Sequence, residues 1–478
     1  MTAIETAASP SRKVVLVHGY SDRGASFAPW VKVLRERGFT TETIEVVTYK
    51  SLTNEVTIKD LAEGFERALV NRNITGDFDA IVHSTGILVV RAWLTANRGD
   101  RSRVKRLKHL IGFAPATWGS PLAHRGRGFL GSLFKGNKAT DLENAPDFLE
   151  AGDLILDGLE LASKFTWDLA HIDLFDKEPF YGANGGTPYP FIFCGNETYE
   201  GFRKFVNEPG TDGTVRFAGV SLDTCKFSLD LTKPNGHPMR FVPATPNAVE
   251  APVIFADKKN HATILSKPEP EMAKLVVRAL NVSNEKQFHD WLADARRWST
   301  PPKKDDKEYQ HFVIHLTDER GDPISDYHVE LFAVSGGEAE PLPFDLELHP
   351  YERDKSFRSF HVDLKELKNV KGLWMRVTLS SGTILVAYKG ISNEGFPVEP
   401  PPPRHDNESD EEYLLRLDAR PTEINLDLSG YVAAKKKPLV FWPYTTTLIE
   451  IIVDREPLPF GDALARLCKW EDLKTLGV

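Results

Sequence analysis

The chain has 478 residues, more than a single hydrophobic core usually accommodates, so two domains or three are expected. Apolar residues make up 41% of the sequence and charged residues 27%, which is typical of soluble globular proteins. The formal net charge is −9, so electrostatics give no reason to expect a nucleic acid as the partner.

The first 298 residues alternate short apolar runs with helical patterns, which predicts a mostly parallel sheet with helices on both faces. Strands are predicted at residues 14–17, 43–49, 80–83, 107–113, 190–194 and 253–256. Helical spacing of apolar residues ends at Gly38, begins again after an N-cap at Thr57, and follows the third strand over residues 87–96.

The pattern changes in the middle of the chain. Residues 123–186 contain glycine-rich turns and amphipathic helices, such as one over residues 148–165. An insertion of this size between two strands, above the carboxyl edge of the sheet, predicts a cap or lid. Residues 299–309 are rich in proline and charge and make the expected linker.

The last part of the chain, residues 310–478, has β-rich runs between turn signals and predicts an accessory β-sandwich. An antiparallel arrangement of about seven or eight strands is expected, with a short helix at the end. Residues 397–412 form a proline-rich and acidic stretch that predicts an exposed loop.

Other features concern partners and location. The basic cluster at residues 98–108 is broken by Gly99 and Asp100, and we interpret it as a surface turn rather than a binding patch. Residues 1–13 have no apolar stretch of signal-peptide length, and no apolar run could span a bilayer, so we expect a cytoplasmic protein without a transmembrane segment. The sequence does not indicate an oligomeric state.

The three cysteines are Cys194, Cys225 and Cys468, and they lack the spacing of metal ligands. We expect buried thiols, and a disulfide between Cys194 and Cys225 stays open. No metal and no cofactor are expected.

The stretch IVHSTGIL, residues 81–88, nearly spells G-x-S-x-G. A serine hydroxyl needs a base to become a nucleophile, and on an α/β sheet it sits on a sharp strand-to-helix turn between small residues. Gly86, two residues after Ser84, meets that need, whereas Val82, two residues before, does not. Taken alone, the motif leaves two interpretations of Ser84: a nucleophile, or the N-cap of the next helix.

The flanking segments favour the nucleophile. The first strand ends in His18 and Gly19, and the loop after such a strand supplies one backbone N–H for an oxyanion, with the second coming from the residue after the nucleophile. Tyr20 and Thr85 are the predicted donors.

Downstream, Asp212 lies in a glycine-flanked turn and His261 on a loop after a strand. The order Ser84, Asp212, His261 is the chain order that a serine nucleophile, its acid and its base follow on this kind of α/β sheet. The sequence leaves open other residues for the last two roles: Asp223 or Asp257 as the acid and His237 as the base.

With these residues, the chain resembles the lipase and esterase branch of the α/β-hydrolase superfamily over about residues 13–285. The likeness is carried by LVHGYSDRG (16–24), VHSTG (82–86), APATWGSPLA (114–123), TDGTV (211–215) and NHATIL (260–265). The third segment is similar to the PHxGS segment of bacterial triacylglycerol lipases, which lines the acyl pocket. The family usually has glycine, or in some members alanine, where Val82 stands, so a valine there should crowd the turn.

The resemblance implies that Ser84 attacks an ester carbonyl, His261 takes and returns the proton, and Asp212 orients the imidazole, with Tyr20 and Thr85 binding the oxyanion. We assign four residues to the substrate site: His18, Gly19, His83 and Trp118. Of these, His83 is expected to pack beside the nucleophile or to tune access to it. Trp118 would line an apolar rim together with Phe129, Leu130, Leu133 and Phe134, unless these side chains form the hydrophobic core of the cap, which the amphipathic pattern of the insertion favours.

The leading hypothesis is a serine carboxylic-ester hydrolase that acts through an acyl-enzyme on small-molecule or lipid-like esters with an apolar acyl or aromatic part. One alternative is a catalytically impaired hydrolase fold that serves as a binding or scaffold protein, which Val82 favours. Another is an amidase or thioesterase with the same triad. The sequence does not assign a role to the β-rich part.

Overall fold

The structure is a computed structural model, and it describes residues 12–19, 24–44, 55–97, 100–125, 153–182, 186–200, 204, 207–234, 237–246, 248–303, 307–335, 338–344, 346–383, 386–389, 403–406, 408–409, 412–413, 422–432 and 440–457. Several predictions lie outside these residues: Tyr20, the rim residues Phe129, Leu130, Leu133 and Phe134, Cys468, the terminal helix and most of the loop at 397–412.

Within the described residues, the first sheet is parallel and has six strands in the order β2-β1-β3-β4-β5-β8. Its strands are β1 Lys13–Val17, β2 Thr40–Ile44, β3 Phe78–His83, β4 Leu107–Phe113, β5 Tyr189–Gly195 and β8 Val253–Ala256. The four central strands are almost wholly buried, because helices cover both faces of the sheet and the strands read as continuous apolar runs. The predicted α/β architecture is confirmed.

The helices of this part lie between the strands: α1 Ala28–Glu36, α2 Ile58–Asn71, α3 Gly86–Thr95, α4 Ser102–Arg106, α5 Pro121–Arg125, α6 Asp153–Leu159, α7 Lys164–Asp173, α8 Thr263–Ser266, α9 Pro270–Ala279 and α10 Glu285–Trp298. The predicted N-cap of α2 is confirmed, since Thr57 Oγ1 accepts from Asp60 N at 3.2 Å and Asp60 Oδ2 accepts from Thr57 N at 2.8 Å. None of the described helices is both long and apolar enough to cross a bilayer.

Two predicted elements differ from the structure. Residues 148–152 of the helix predicted over residues 148–165 lie outside the described part. The rest is not one helix but α6 and the start of α7, because the chain turns between them, where Ala162 has φ +59° and Ser163 Oγ caps α7 by accepting from Thr166 N at 3.2 Å. The strand predicted at residues 43–49 begins earlier, as β2 Thr40–Ile44, and residues 45–50 lie outside the described part.

The described residues of the β-rich part form two sheets. One has four strands in the order β11-β10-β14-β16, all antiparallel: β10 Tyr327–Ser335, β11 Glu338–Leu342, β14 Gly372–Leu379 and β16 Thr422–Asp427. The other runs β12-β13-β9-β17-β6-β7, with β15 paired to β17: β6 Thr224–Asp230, β7 Phe241–Ala244, β9 Tyr309–Asp318, β12 Leu346–Pro350, β13 Phe357–Asp363, β15 Val386–Lys389 and β17 Thr446–Pro457. A short helix, α11 Ser429–Val432, follows β16.

The second sheet corrects the prediction of an all-antiparallel sandwich. Strand β17 runs parallel to both of its neighbours, β9 and β6, so this sheet is mixed. Strands β6 and β7 precede β8 in the chain, and alternate β6 residues, Cys225, Phe227 and Leu229, pack in the core of the β-rich part. A hairpin from the first 298 residues is therefore built into the sheet of the second part.

The opposite face of the mixed sheet packs on the α/β layer. Val313 of β9, Phe357 of β13 and Leu448 of β17 belong to the first hydrophobic core. The predicted boundary near residue 298 thus separates the chain in sequence, whereas the packing is continuous across it.

Cys194 and Cys225 are both buried free thiols. The open alternative of a disulfide between them is wrong.

Candidate active site

Ser84 lies on the turn between β3 and α3. Its backbone has φ +52°, in the left-handed region that non-glycine residues avoid at a cost of about 1–3 kcal/mol. The turn is held by the neighbouring strand, because Ser84 N donates to Phe113 O at 3.3 Å and Ala116 N donates to Ser84 O at 3.0 Å. The N-cap of α3 is Thr85, so Ser84 does not serve as the cap.

Two glycines allow the chain to approach this turn closely. A Cβ on Gly86 would lie 2.6 Å from Val17 O, and a Cβ on Gly19 would lie 2.7 Å from Ser84 Cβ. The end of β1 and the start of α3 therefore contact each other through backbone atoms. Because Thr85 immediately precedes α3, its N–H belongs to the helix start, where N–H groups have no intrahelical partner.

Val82 is fully buried in the middle of the sheet, between Val17 on β1 and Gly112 on β4. Register partners on parallel strands point to the same face, so Val82 lies beside a residue without a side chain. The strand pairing continues past it to His83 and Phe113. A Cβ on Gly112 would lie 3.0 Å from Pro115 Cγ and 3.3 Å from Ile192 Cδ1, so those two side chains occupy the space over this glycine.

Asp212 and His261 come together in the folded chain. His261 Nδ1 lies 2.9 Å from Asp212 Oδ2, and His261 N donates to Asp212 O at 3.0 Å. The other carboxylate oxygen, Oδ1, accepts from Thr214 N and Val215 N, both at 3.0 Å. With one oxygen held by two backbone N–H groups, the carboxylate presents Oδ2 to the imidazole and favours the tautomer that carries its proton on Nδ1.

The other nitrogen of His261 is available. Nε2 is buried and has no hydrogen-bond partner among the described residues. Ser84 is buried as well, and bonds between a nucleophile and its base often tighten only when substrate is present.

The alternative acids and base have other contacts. Asp223 Oδ1 accepts from Ala251 N at 2.7 Å, and Asp257 Oδ1 accepts from Asn196 Nδ2 at 3.1 Å. His237 lies in an exposed turn between β6 and β7, where its Nδ1 accepts from Met239 N at 3.2 Å. Of the three candidate acids, only Asp212 is paired with His261 in the described structure.

His83 is fully buried next to Ser84 and contacts the imidazole. Its Nε2 lies 3.0 Å from His261 O, and the two ring centroids are 4.6 Å apart. Burial, followed by the charge of His261, lowers the pKa of His83 well below its usual value, so the ring is neutral. The structure shows His83 against His261 rather than at an open surface.

The other residues assigned to the substrate site are also buried. His18 Nδ1 lies 2.7 Å from Gly19 O, and His18 Nε2 has no partner among the described residues. The Trp118 indole N–H is buried and without a partner in the same part of the structure, while its backbone N donates to Gly219 O at 3.0 Å.

The segment at residues 114–123 connects the serine turn to the acid loop. Besides the bond from Ala116 N to Ser84 O, Ser120 Oγ donates to Thr214 O at 2.6 Å and Thr117 Oγ1 donates to Val220 O at 2.7 Å. These bonds join residues 114–123 to the turn at Ser84 and to the loop after Asp212.

Sequence reasoning missed a buried ion pair behind the serine helix. Arg91 on α3 bonds to Asp173 on α7 through Nε and Nη2, at 2.7 and 3.0 Å, and neither side chain is exposed to solvent. Arg91 Nη1 also donates to Thr117 O at 2.9 Å, and Tyr181 Oη donates to Asp173 Oδ2 at 2.8 Å. An arginine within the apolar helix ILVVRAWLT was the available signal.

Sequence reasoning expected Cys194, at the end of β5, to be a buried thiol but missed its contact with Asp212. Its Sγ lies 3.6 Å from Asp212 Oδ2 and donates to it, and burial raises the pKa of the thiol well above its usual value. The protonated thiol is thus a further donor to the carboxylate that faces His261.

No family model and no curated protein sequence matches the chain. Among solved structures, the phospholipase PlaB from Legionella pneumophila is similar, with a TM-score of 0.70 at 19% identity over 96% of this chain and 98% of that chain. The structure of the same phospholipase in complex with thio-NAD gives a TM-score of 0.67 at 18% identity over the same shares. The likeness spans the β-rich part as well. The chain has the α/β-hydrolase fold with an additional β-rich domain.

Proposed function

We propose that the protein is a serine hydrolase that cleaves carboxylic-ester bonds, with Ser84 as nucleophile, His261 as base and Asp212 as the orienting acid. The observation that carries the proposal is the 2.9 Å contact between His261 Nδ1 and Asp212 Oδ2, together with a serine held at φ +52° on a strand-to-helix turn. A serine in this backbone conformation presents its hydroxyl away from both flanking elements.

In the first half of the reaction, Ser84 Oγ forms a bond to the ester carbonyl carbon while its proton passes to His261 Nε2. The carbonyl oxygen takes the electron pair of the broken π bond and becomes an oxyanion. When the intermediate collapses, the bond to the alcohol oxygen breaks, the alcohol takes the proton from His261, and the acyl group stays on Ser84.

In the second half, water attacks the acyl carbon and gives a proton to His261 Nε2. Collapse of this intermediate releases the carboxylic acid, and Ser84 Oγ recovers the proton. Asp212 accepts the Nδ1 hydrogen bond throughout and stabilises the imidazolium that forms in each half.

The oxyanion is assigned to the backbone N–H of Thr85, which lies at the positive end of the α3 dipole. We propose Tyr20 N–H as the second donor, a residue outside the described part of the chain. Two donors are expected because removal of one from such a site typically costs about 100- to 1000-fold in rate.

The proposed substrates are small-molecule or lipid-like esters with an apolar acyl or aromatic part. Support comes from the apolar indole of Trp118, from the inserted segment at residues 123–186, which we propose as a lid, and from the similar structure of a phospholipase. Residues 1–298 would form the catalytic domain, 299–309 the linker and 310–478 the accessory domain, with the hairpin β6–β7 shared between them.

The test is a chain-length series of p-nitrophenyl esters, together with a phospholipid, a thioester and an anilide, given to wild type, Ser84→Ala and His261→Ala. Ser335→Ala, at an exposed position of β10, is the matched serine control. We expect both site variants to lose turnover while they stay folded, and the control to keep it.

A fluorophosphonate probe provides the second readout. Labelling of wild type and the control, but not of Ser84→Ala, supports the nucleophile. Turnover retained by Ser84→Ala would overturn the site assignment, and an unlabelled wild type without turnover would favour the scaffold alternative. Cleavage of only the thioester or only the anilide would show that the protein is a thioesterase or an amidase rather than a carboxylic-ester hydrolase.

A further inference from the structure

Three buried histidines surround the serine turn: His18 after β1, His83 at the end of β3 and His261 after β8. The proposed reaction uses only His261. His83 connects the proposed nucleophile with the proposed base, because it precedes Ser84 in the chain and its ring contacts His261.

The partner of His83 determines its tautomer. A backbone carbonyl oxygen only accepts hydrogen bonds, so the 3.0 Å contact between His83 Nε2 and His261 O requires the proton of the ring on Nε2. Burial lowers the pKa of His83 most, the charges of His261 and His18 lower it further, and the hydrogen bond to the His261 carbonyl raises it by less. A neutral His83 therefore stays a donor without repelling the imidazolium that forms at His261.

The peptide of His261 is held from both sides. Its N–H donates to Asp212 O at 3.0 Å, and its carbonyl oxygen accepts from His83. Asp212 thus fixes the ring and the N–H of the base, and His83 fixes the carbonyl. Among the described residues, the hydrogen bond from His83 connects the backbone of the base directly to the strand that carries the nucleophile.

We propose that His83 is a positioning residue, whose hydrogen bond to the His261 carbonyl sets the separation between Ser84 Oγ and His261 Nε2. This inference rests on the proposed function, and it replaces the assignment of His83 to substrate binding. A base displaced by about 1 Å can cost on the order of 100-fold in rate, so a hydrogen bond at this place has a measurable effect.

The test compares His83→Gln with His83→Met in the full-length protein. The two replacement side chains have similar length and flexibility, but only the glutamine amide carries a donor that can reach the place of His83 Nε2. His328→Gln, at an exposed position of β10, is the control for the loss of a histidine. His83→Leu is a second variant without a donor, in case His83→Met does not fold.

The readouts are kcat and KM for a p-nitrophenyl ester, with kcat divided by the active sites titrated with a fluorophosphonate. We expect the donor-free variants to lose about 10- to 100-fold in kcat per titrated site with KM unchanged, and His83→Gln to stay within about 3-fold of wild type. A structural role alone would lower the number of titrated sites without lowering kcat per site.

Equal kcat per site in His83→Gln and the donor-free variants would overturn the inference, as would a fall confined to the number of sites or to KM. Each of these results leaves the proposed function intact, because wild type would still be labelled and active. A wild type that is neither labelled nor active would overturn the proposed function first and the inference with it.

Discussion

A Cβ on Gly86 would lie 2.6 Å from the carbonyl oxygen of Val17, which is closer than such atoms can approach. The helix after the serine turn and the strand that precedes the His-Gly loop therefore touch through their backbones. This contact places the start of α3, with the Thr85 N–H, beside the end of β1. Its consequence is that position 86 tolerates no side chain without a shift of the turn.

We expect Gly86→Ala to reduce kcat by about 100-fold or more and to destabilise the fold by about 1–3 kcal/mol, because the turn at Ser84 must move to make room for the added methyl group. Gly64, in the middle of α2, is the matched control, since a Cβ there meets no atom within 4 Å. Gly64→Ala is expected to leave kcat unchanged and to add about 0.5–1 kcal/mol of stability. Ester turnover and denaturant unfolding measure both effects, and equal kcat in the two variants would contradict the contact.

Val82→Gly tests whether the valine crowds the site. Since Val82 is buried beside Gly112, its removal should leave a cavity and cost about 2–4 kcal/mol in the free energy of unfolding. We expect kcat per titrated site to stay at the wild-type value. A variant that is faster than wild type would show that the family's usual glycine relieves strain at the turn.

Asp212→Asn should lower kcat by about 1000- to 10000-fold with little change in KM, because the amide disfavours the tautomer that leaves Nε2 of His261 free. Asp223→Asn and Asp257→Asn retain the oxygens that accept from Ala251 and Asn196, and are expected to stay within about 2-fold of wild type. Steady-state kinetics of the three variants decide which carboxylate is the acid. A larger loss in Asp223→Asn or Asp257→Asn would reverse the assignment.

Because Arg91 and Asp173 form a buried ion pair, substitutions at the two positions should have non-additive effects on the free energy of unfolding. Arg91→Met alone leaves an uncompensated buried carboxylate, and we expect a loss of about 3–5 kcal/mol. Arg91→Met combined with Asp173→Leu removes both charges and should recover much of that loss. Denaturant midpoints of the wild type, single variants and double variant measure this coupling, and additive losses would contradict it.

The buried ring of His315 should make the free energy of unfolding depend on pH. Its ring stacks on Phe357 at a centroid distance of 3.8 Å, and burial lowers the pKa of His315 from 6.5 to about 4. Below pH 6.5 the unfolded chain therefore binds a proton that the folded protein binds only near pH 4. The stability conferred by the neutral ring is complete above pH 6.5 and is lost as the pH falls towards 4, by about 1.4 kcal/mol per pH unit.

We expect His315→Phe to keep the stacked ring and to make the free energy of unfolding depend less on pH between 6.5 and 4. His328→Gln, on an exposed strand position, should leave that dependence unchanged. Unfolding titrations at several pH values provide the measurement. An unchanged slope in His315→Phe would show that the ring does not contribute to acid sensitivity.

The predictable parts of the molecule depend on residues near each other in the chain. Strands β4 and β8 have the predicted bounds, and Thr57 caps α2 as expected, because alternation, apolar runs and capping are local signals. The candidate site could be assembled from sequence for the same reason: each of its segments has its own local motif, and only their order had to fit a known arrangement.

The sequence by itself determined the class of the first sheet, the turn at Ser84 and the candidates Asp212 and His261, since these follow from periodicity and short motifs. Only the tertiary structure decided that Asp212 rather than Asp223 or Asp257 meets His261, that His83 contacts the His261 carbonyl, and that Arg91 pairs with Asp173. It also decided that β6 joins β17 in a mixed sheet. These relationships join residues far apart in the chain, and their energies depend on burial and on partners that no local pattern specifies.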